Sequence, residues 1–329
     1  MRFILNRTGF LLIAVWAALT LNFIIPRLMP GSPADAILAH FAAAGTPLGP
    51  NALHALDLQF GVSHAPIWTQ YVEYLNNLLH GQLGVSTTYY PLSVAHVIGQ
   101  SLPWTLGLAG SATVISVILG TGLGIYAAWH RGTRVDATLT SVTMFTSAVP
   151  YFWVALLLVY FLGSELRWFP QAHAYTLLAP NATSWQFTWD VLYHAVLPGA
   201  TIVISAIGGW LITMRNNMIQ TLGEDYVTFA RARGIANRRL MVAYAARNAI
   251  LPSLTGFAMA IGFVVGGALL TEIVFSYPGI GMQLFTAVEN EDYSLMQGIF
   301  LIIALAVLLA NYLVDLTYGF LDPRVREGE

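Results

Sequence analysis

The chain has 329 residues, of which 57% are hydrophobic and 9% charged, and its mean hydropathy of +0.65 exceeds that of ordinary soluble domains. The formal net charge is −2, and the absence of cysteine excludes disulfides, thiolate catalysis and cysteine-ligated metals. All 14 basic residues are arginine, so the chain has neither the lysine of a Walker-type phosphate-binding loop nor a lysine for Schiff-base chemistry.

Six segments are long and apolar enough to cross a bilayer, which takes about 20 residues. They cover residues 9–29, 104–129, 137–163, 191–214, 249–271 and 296–320. Pro150 lies near the middle of the third, where we expect a kink rather than a break. The first segment could be a signal peptide, since Arg2 and Arg7 precede its apolar run. Its length, and its Pro26-Arg27 end without a small-x-small cleavage site, favour an uncleaved anchor.

The arginines orient these segments. Cytoplasmic segments of a membrane protein carry an excess of basic residues. With the N-terminus inside, the cytoplasmic segments hold Arg2, Arg7, Arg131, Arg134, Arg215, Arg231, Arg233, Arg238, Arg239, Arg247, Arg324 and Arg326, and only Arg27 and Arg167 fall outside. We therefore predict an all-α integral membrane protein of six transmembrane helices, with both termini cytoplasmic and a long extracytoplasmic segment after the first helix.

This topology divides the chain into four regions. Residues 1–30 form the N-terminus and first span, 31–103 the extracytoplasmic segment, 104–322 the core with spans two to six, and 323–329 a cytoplasmic tail. Within the outer segment, residues 67–79 are amphipathic, with Trp68, Tyr71 and Val72 at helical spacing. They predict either a helix lying on the outer leaflet or a small cap that receives a partner. The two interpretations are compatible.

An arginine-rich cytoplasmic loop at about 215–248 is the most informative stretch. Glu224 and Asp225 suit a helix N-terminus, Gly234 suits a helix C-terminus, and Asn237 is a favourable N-cap for a second helix. The first helix would place Tyr226, Phe229, Ala230 and Arg233 on one face. The second would place Leu240, Met241, Tyr244 and Ala245 on one face, with Arg239 and Arg247 away from it. A basic loop that only sets the membrane topology and touches lipid headgroups would not need two ordered helices. The pattern therefore favours a docking element.

These motifs resemble a known family. The sequence DYVTFARARG at 225–234, followed by RNAILP at 247–252, resembles the EAA loop of ABC-importer permeases, specifically the oligopeptide/dipeptide permease B family. Three further stretches match that family in the right order: GQLGVS with LPWTL at 81–86 and 102–106, EIVFSYPGIG at 272–281, and NYLVD with LDPR at 311–315 and 321–324. One departure is that the glutamate of the EAA motif falls at Thr228, so no glutamate-mediated contact to an ATPase can be carried over.

The resemblance implies one permease of a multi-pass importer in a prokaryotic cytoplasmic membrane. Its partners would be a second related permease, two ATPase subunits, an extracellular solute-binding protein and membrane lipid, with no nucleic acid. ATP and Mg would sit on the ATPases, and this chain would bind no cofactor and no metal. The residues expected to couple to an ATPase are Tyr226, Ala230, Arg231, Ala232, Arg233, Gly234, Arg238 and Arg239. Structural motif residues are Arg247, Asn248, Pro252, Pro278, Gly279, Asp315, Asp322 and Pro323. The implied cargo is a di- or oligopeptide, with oligosaccharides or nickel as alternatives.

Single residues leave alternatives open. Glu272 is an expensive charge near hydrocarbon, either a pathway residue or a helix-end carboxylate that reaches water. For Asp315 we expect an ion pair with arginines of the coupling loop rather than a solute contact. Tyr277-Pro278-Gly279 predicts a tight turn. The outer histidines His40, His54, His64, His80 and His96 have irregular spacing that favours polar surface over a metal site.

Two rival functions conflict with the sequence. A self-sufficient secondary transporter would want an inverted repeat or paired broken helices with an ion relay, and it would not need a docking loop. An intramembrane enzyme would need convergent catalytic side chains, and the one histidine at the mouth of a span, His194, has no recognisable partner pattern. We therefore expect a transport subunit rather than an enzyme.

Overall fold

The computed structural model describes residues 2–28, 65–176, 185–266 and 268–321. Within these ranges the chain is helical, with one isolated bridge between Val85 and Ser93 and no strand. The predicted all-α class is confirmed.

The described helices are numbered in chain order, and three π-helical segments adjoin them. They are α1 (Arg2–Leu28), α2 (Ile67–Leu79), α3 (Val94–Thr105), α4 (Ser111–Trp129), α5 (Arg134–Ala148), α6 (Tyr151–Leu158), α7 (Trp185–Leu222), α8 (Asp225–Ala232), α9 (Asn237–Arg239), α10 (Arg247–Ala249), α11 (Leu251–Val264), α12 (Leu269–Val274), α13 (Ile280–Glu289) and α14 (Tyr293–Leu321). The π-helical segments are Leu106–Gly110 between α3 and α4, Val159–Glu165 after α6, and Leu240–Ala246 between α9 and α10.

Membrane-spanning capacity follows the predicted pattern. Among the residues that the structure describes, four helical stretches are long and apolar enough to cross a membrane, namely Leu5–Ile25, Val94–Trp129, Trp185–Leu222 and Tyr293–Leu316. Two bent helix pairs, α5 with α6 and α9–α10 with α11, raise the number to six when each pair counts as one span. Each of the six predicted segments overlaps either one of the four stretches or one of the two bent pairs.

The third span is broken at Pro150. α5 ends at Ala148, α6 begins at Tyr151, and the two helix directions differ by 94°. Val149 is extended, with ψ of 127°, because the ring of a following proline clashes with a helical residue before it. The prediction of a kink was therefore wrong, and Pro150 instead stands at the N-cap of a new helix.

The second and fifth spans also differ from their predicted limits. The helix of the second span begins at Val94, before the predicted start at 104. The fifth, predicted as one run over 249–271, bends by 51° after Ala249 and ends as α11 at Val264, and α12 begins only at Leu269. A single rigid helix therefore does not run from the coupling loop through the fifth span.

Met1–Trp104 and Gly279–Glu329 form one compact unit of the chain. In it α1 and α14 pack antiparallel, since Thr8 hydrogen-bonds Tyr312 at 2.8 Å near one end. Near the other end the Asn22 and Gln297 side chains each donate to the other's backbone carbonyl, at 3.0 and 2.8 Å. This pairing places the start of α1 and the end of α14 at the same end of the unit. It supports the prediction that both termini face the same side of the membrane.

Thr105–Pro278 form the second unit, in which α7 packs tightly against α4 and α5. A Cβ on Gly124 of α4 would lie 2.6 Å from the carbonyl oxygen of Leu211, and one on Gly208 of α7 would lie 2.6 Å from that of Thr143. Small residues allow such close backbone approach between membrane helices. α7 is therefore held between two neighbours, and its C-terminal end leads into the arginine-rich loop.

Candidate functional site

The first helix of the arginine-rich loop begins where the sequence predicts. α7 ends at Leu222, and α8 follows after a turn of two residues. Glu224 is its N-cap residue and Asp225 lies in its first turn. Carboxylates there interact favourably with the partial positive charge of a helix N-terminus. The predicted start of this helix is confirmed.

The end of α8 is closed by a pair of backbone hydrogen bonds. The Gly234 N–H donates to the Arg231 carbonyl at 3.0 Å, and the Ile235 N–H donates to the Ala230 carbonyl at 3.3 Å. This Schellman arrangement needs a left-handed residue, and Gly234 has a φ of 76°. No atom lies within 4 Å of a Cβ built on Gly234, so the requirement for glycine comes from backbone conformation alone.

The second helix of the loop is less regular than predicted. Its N-cap residue is Ala236, and Asn237 is already inside α9, so the prediction of Asn237 as the cap was wrong by one residue. No side chain caps this end, because Ala236 has no hydrogen-bonding group. Leu240 and Ala245 are buried while Arg239 and Arg247 are exposed, as the helical periodicity indicates.

Tyr226 joins the two helices of the loop. Its hydroxyl accepts a hydrogen bond from the Asn248 side-chain amide at 2.7 Å, and it lies 3.4 Å from the Tyr244 carbonyl oxygen. Tyr226 and Asn248 were singled out by the resemblance for two different reasons, coupling and structure. The structure brings them together, so α8 is tied to the second helix 22 residues later.

The inner face of α8 rests on a small apolar core. Val227 and Ala230 are buried there with Leu240, and Trp129 of α4 and Leu222 of α7 pack against them. Ala230 is only 4% exposed. The prediction that Ala230 lies on one face with Tyr226 and Phe229 was therefore wrong, because those two side chains are exposed. Ala230 lets α8 lie close to its own chain rather than to another protein.

The outer face of α8 is apolar at its centre and basic around it. Phe229 is 65% exposed and Tyr226 is 40% exposed, although both are large side chains. Exposed around them are the other predicted coupling residues Arg231, Ala232, Arg233, Gly234, Arg238 and Arg239. We call this set, together with Tyr226 and Phe229, the coupling surface. It is the kind of apolar patch with a polar rim that marks protein–protein contacts.

Comparison with known proteins identifies the family. The family described as "Binding-protein-dependent transport system inner membrane component" matches residues 120–327. The chain belongs to this family. It is 32% identical over 98% of both chains to the di/tripeptide transport system permease protein DppB of Pseudomonas aeruginosa. It is 29% identical over 99% of both chains to the dipeptide transport system permease protein DppB of Escherichia coli K12, and 32% identical over 99% of both to a putative peptide permease protein of Brucella suis.

The chain is thus an inner-membrane permease subunit of an ABC importer, and the resemblance drawn from its motifs is confirmed. Its relatives are transport permeases rather than enzymes. The permease therefore acts within a transport system that depends on a binding protein. The roles of single residues follow from the contacts that each one makes.

An ion pair between α5 and α7 was not predicted from the sequence. Asp136 of α5 is 4% exposed, and Arg215 of α7 donates to its two oxygens at 2.6 and 2.7 Å. The Gly132 N–H donates to the same carboxylate at 3.1 Å. Arg215 was counted only as one of the cytoplasmic arginines. Asp136 lies in the first turn of α5, and an aspartate there is a recognisable helix-start residue. Nothing in the sequence indicated that Arg215 would be its partner.

Glu272 is completely buried, so the interpretation as a helix-end carboxylate that reaches water was wrong. The Thr105 hydroxyl donates to its Oε1 at 2.8 Å. Burial and, second, the nearby charge of Glu272 raise the pKa of Tyr277 to about 12. A pathway role for Glu272 remains a prediction.

Asp315 forms an ion pair, as predicted, but with a different partner. Its Oδ2 lies 3.2 Å from a guanidinium nitrogen of Arg7 in α1, and both side chains are partly exposed. The predicted partners were arginines of the coupling loop. The antiparallel packing of α1 and α14 explains the difference, because it brings the start of one helix beside the end of the other.

A third buried carboxylate, Asp292, was not predicted. It precedes α14, and its Oδ1 accepts from the Leu295 N–H at 3.0 Å in the manner of an N-cap. Its Oδ2 accepts from the Thr88 N–H at 3.0 Å, and the Ser86 hydroxyl also donates to it. Asp292 therefore fixes the GQLGVS motif loop to the start of α14. An aspartate before an apolar run is a known helix-start signal.

The remaining motif residues have structural positions. Pro252 lies in the first turn of α11, and Gly279 is the N-cap of α13 with an extended φ of −91°. The left-handed residue of the 275–279 connection is Ser276, with φ of 46°, rather than Gly279. Asp322 and Pro323 lie outside the described residues, as do His40, His54 and His64. Within the described part of the chain, no group of three histidine or acidic side chains is placed to hold a metal ion.

Proposed function

We propose that this permease imports di- or oligopeptides and forms half of the translocation pathway, driven by separate ATPase subunits that bind the coupling surface. ATPase binding at this surface is supported by the exposed side chains of Phe229 and Tyr226 and the arginines around them. The opposite face of the same helix packs into its own chain. The peptide part rests on the relatives, whose names describe dipeptide, di/tripeptide or peptide permeases.

Packing supports a route for movement through α4 and α7. The core under α8 includes Trp129, at the C-terminal end of α4, and Leu222, at the C-terminal end of α7. Both side chains also pack against a second buried cluster around Met214, Met218 and Ala245. A displacement of α8 by an ATPase would therefore push two membrane-crossing helices at their cytoplasmic ends. The bend after Ala249 makes direct transmission into α11 the weaker route.

The proposed complex contains a second related permease, two ATPases carrying ATP and Mg, and an extracellular solute-binding protein. Closure of the ATPases on ATP would move the two permeases as rigid bodies and alternate access to the pathway. Arg231 and Arg233 suit a partner groove with acidic or carbonyl groups, because arginine makes paired hydrogen bonds to such acceptors. Oligosaccharide and nickel import remain the alternatives for the cargo.

The cargo is tested by uptake in cells that lack this chain and in the same cells carrying a restored copy. Three labelled panels are supplied, namely short peptides, oligosaccharides and nickel. Loss of peptide uptake alone, restored by the copy, is the expected result. Loss of oligosaccharide or nickel uptake alone would overturn the peptide assignment while keeping the importer. Peptide uptake that continues in vesicles without ATP would instead favour a secondary transporter.

A further inference from the structure

Helix α2 is held against α1 by one face. The Thr20 hydroxyl hydrogen-bonds the Tyr71 hydroxyl at 2.8 Å, and the Asn22 amide donates to the Tyr74 hydroxyl at 3.1 Å. The Phe23 ring contacts both tyrosine rings, with centroids 5.1 and 5.4 Å apart. α2 is therefore fixed at a definite level on α1.

A second face of α2 is apolar and exposed. Trp68, Val72 and Leu79 are 74, 62 and 86% exposed, and the half-buried Leu75 completes a stripe with the helical spacing i, i+4, i+7 and i+11. A third face carries Glu73, Asn76 and His80, which are also exposed. The helix thus presents separate sides to its own chain, to an apolar medium and to water.

The level of attachment fits a membrane interface. The span of α1 ends at Ile25, and Asn22 lies three residues before it, which is about 4.5 Å along a helix axis. Amphipathic interfacial helices lie about 5–10 Å deep, at the boundary of headgroups and acyl chains. With 13 residues α2 is too short to cross a bilayer, which takes about 20. At the same level α1 exposes Leu21, as expected of a span that faces lipid.

We propose that α2 is an interfacial anchor whose stripe of Trp68, Val72, Leu75 and Leu79 lies in the lipid of the outer leaflet. The occupant is lipid rather than protein because the stripe is narrow, lies level with the end of a membrane span and is bordered by a polar face. Tryptophan at one end of the stripe suits the headgroup boundary. The anchor fixes the depth of the α1–α14 pair at its outer end. It does not depend on the cargo or on the coupling surface.

The absence of native cysteine makes a direct test possible. Trp68, Val72 and Leu79 are replaced one at a time by cysteine, and Glu73, Asn76 and His80 serve as matched controls on the polar face of the same helix. Each variant is labelled with a nitroxide and reconstituted, as the assembled importer, into phosphatidylethanolamine–phosphatidylglycerol vesicles. Collision rates with oxygen, which concentrates in lipid, and with a water-soluble nickel chelate are then measured by electron paramagnetic resonance.

We expect labels at 68, 72 and 79 to collide mainly with oxygen and labels at 73, 76 and 80 mainly with the chelate. Labels on the stripe that meet the chelate as often as those on the polar face would overturn the proposal, because the stripe would then be in water. Labels on the stripe that are protected from both agents would also overturn it, because a protein would then cover the stripe. Transport activity does not enter this readout, so failure of the peptide assignment cannot be mistaken for failure of the anchor.

Discussion

Replacement of Gly234 by valine tests whether the shape of α8 matters for transport. Gly234 has a φ of 76° and open space around its Cβ position, so valine meets backbone strain and no collision. A left-handed conformation costs an L-residue about 1–2 kcal/mol. The two hydrogen bonds that close α8 contribute about 1 kcal/mol each. The strain energy of valine and the energy of the two closing hydrogen bonds are thus of similar size. We therefore expect the last turn of α8 to be open for much of the time.

A penalty of about 1–2 kcal/mol lowers the ratio of closed to open α8 by about 5- to 30-fold. Because closure is itself worth about 2 kcal/mol, the closed fraction falls towards about one half. We expect peptide uptake by the reconstituted importer to fall with the closed fraction, by up to about twofold, with less transport per ATP hydrolysed and with the permease still in the membrane. Gly81 provides the matched control, since its φ is 71° and its Cβ position is also open. Gly81→Val introduces the same backbone strain at a position next to α2, away from α8. Gly234→Asn is a second control, because asparagine tolerates the left-handed region. Both variants should retain uptake. Unchanged uptake in Gly234→Val would show that transport does not need the closed end of α8.

Three further predictions concern the same region. Reversal of Arg231 and Arg233 to glutamate should weaken ATPase association, measured by co-purification, and an intact complex would count against the coupling surface. Tyr226→Phe removes a hydrogen bond worth about 1 kcal/mol and should speed amide hydrogen exchange in α8, with equal exchange as the contrary result. Arg215→Met leaves the carboxylate of Asp136 buried without its partner and should cost about 3 kcal/mol, seen as a lower melting temperature of the purified complex. Adding Asp136→Asn should restore part of that loss, and a single variant as stable as the parent would show that the pair contributes little.

Sequence reasoning succeeded where a local rule decides the structure. Glu224 and Asp225 mark the start of α8, and Gly234 marks its end, because helix termini select residues by charge and backbone freedom. The six apolar segments are equally local, since span length follows from bilayer thickness. The arginine bias and the antiparallel pairing of α1 with α14 agree that α1 begins and α14 ends on the same side.

The sequence did not predict the ion-pair partners of Asp136 and Asp315 or the side of α8 on which Ala230 lies. These features depend on how the helices pack. Asp136 selects Arg215, and Asp315 selects Arg7, because helices distant in sequence meet there. Ala230 faces inwards because Trp129 and Leu222 supply an apolar surface beneath α8, which helical periodicity alone does not reveal.

The kink predicted at Pro150 is a break, because two local rules about proline conflict there and the weaker one was applied. The residue before a proline is disfavoured in a helix, and Val149 is extended accordingly. Neighbouring helices can compensate for a proline inside a span, which argued for a kink. Here the chain turns through 94° instead.

The proposed mechanism requires that α8 docks on an ATPase subunit of the assembled importer. Its most direct test places a single cysteine at Phe229, which is possible because the chain has none, and attaches a short photo-activated cross-linker in the assembled importer. Asn76→Cys, on the exposed polar face of α2, is the control, and maleimide labelling verifies that both cysteines react. We predict a cross-link from position 229 to an ATPase subunit, altered in yield by ATP, and none from position 76. A fully labelled cysteine at 229 that captures no ATPase in either nucleotide state would contradict the claim.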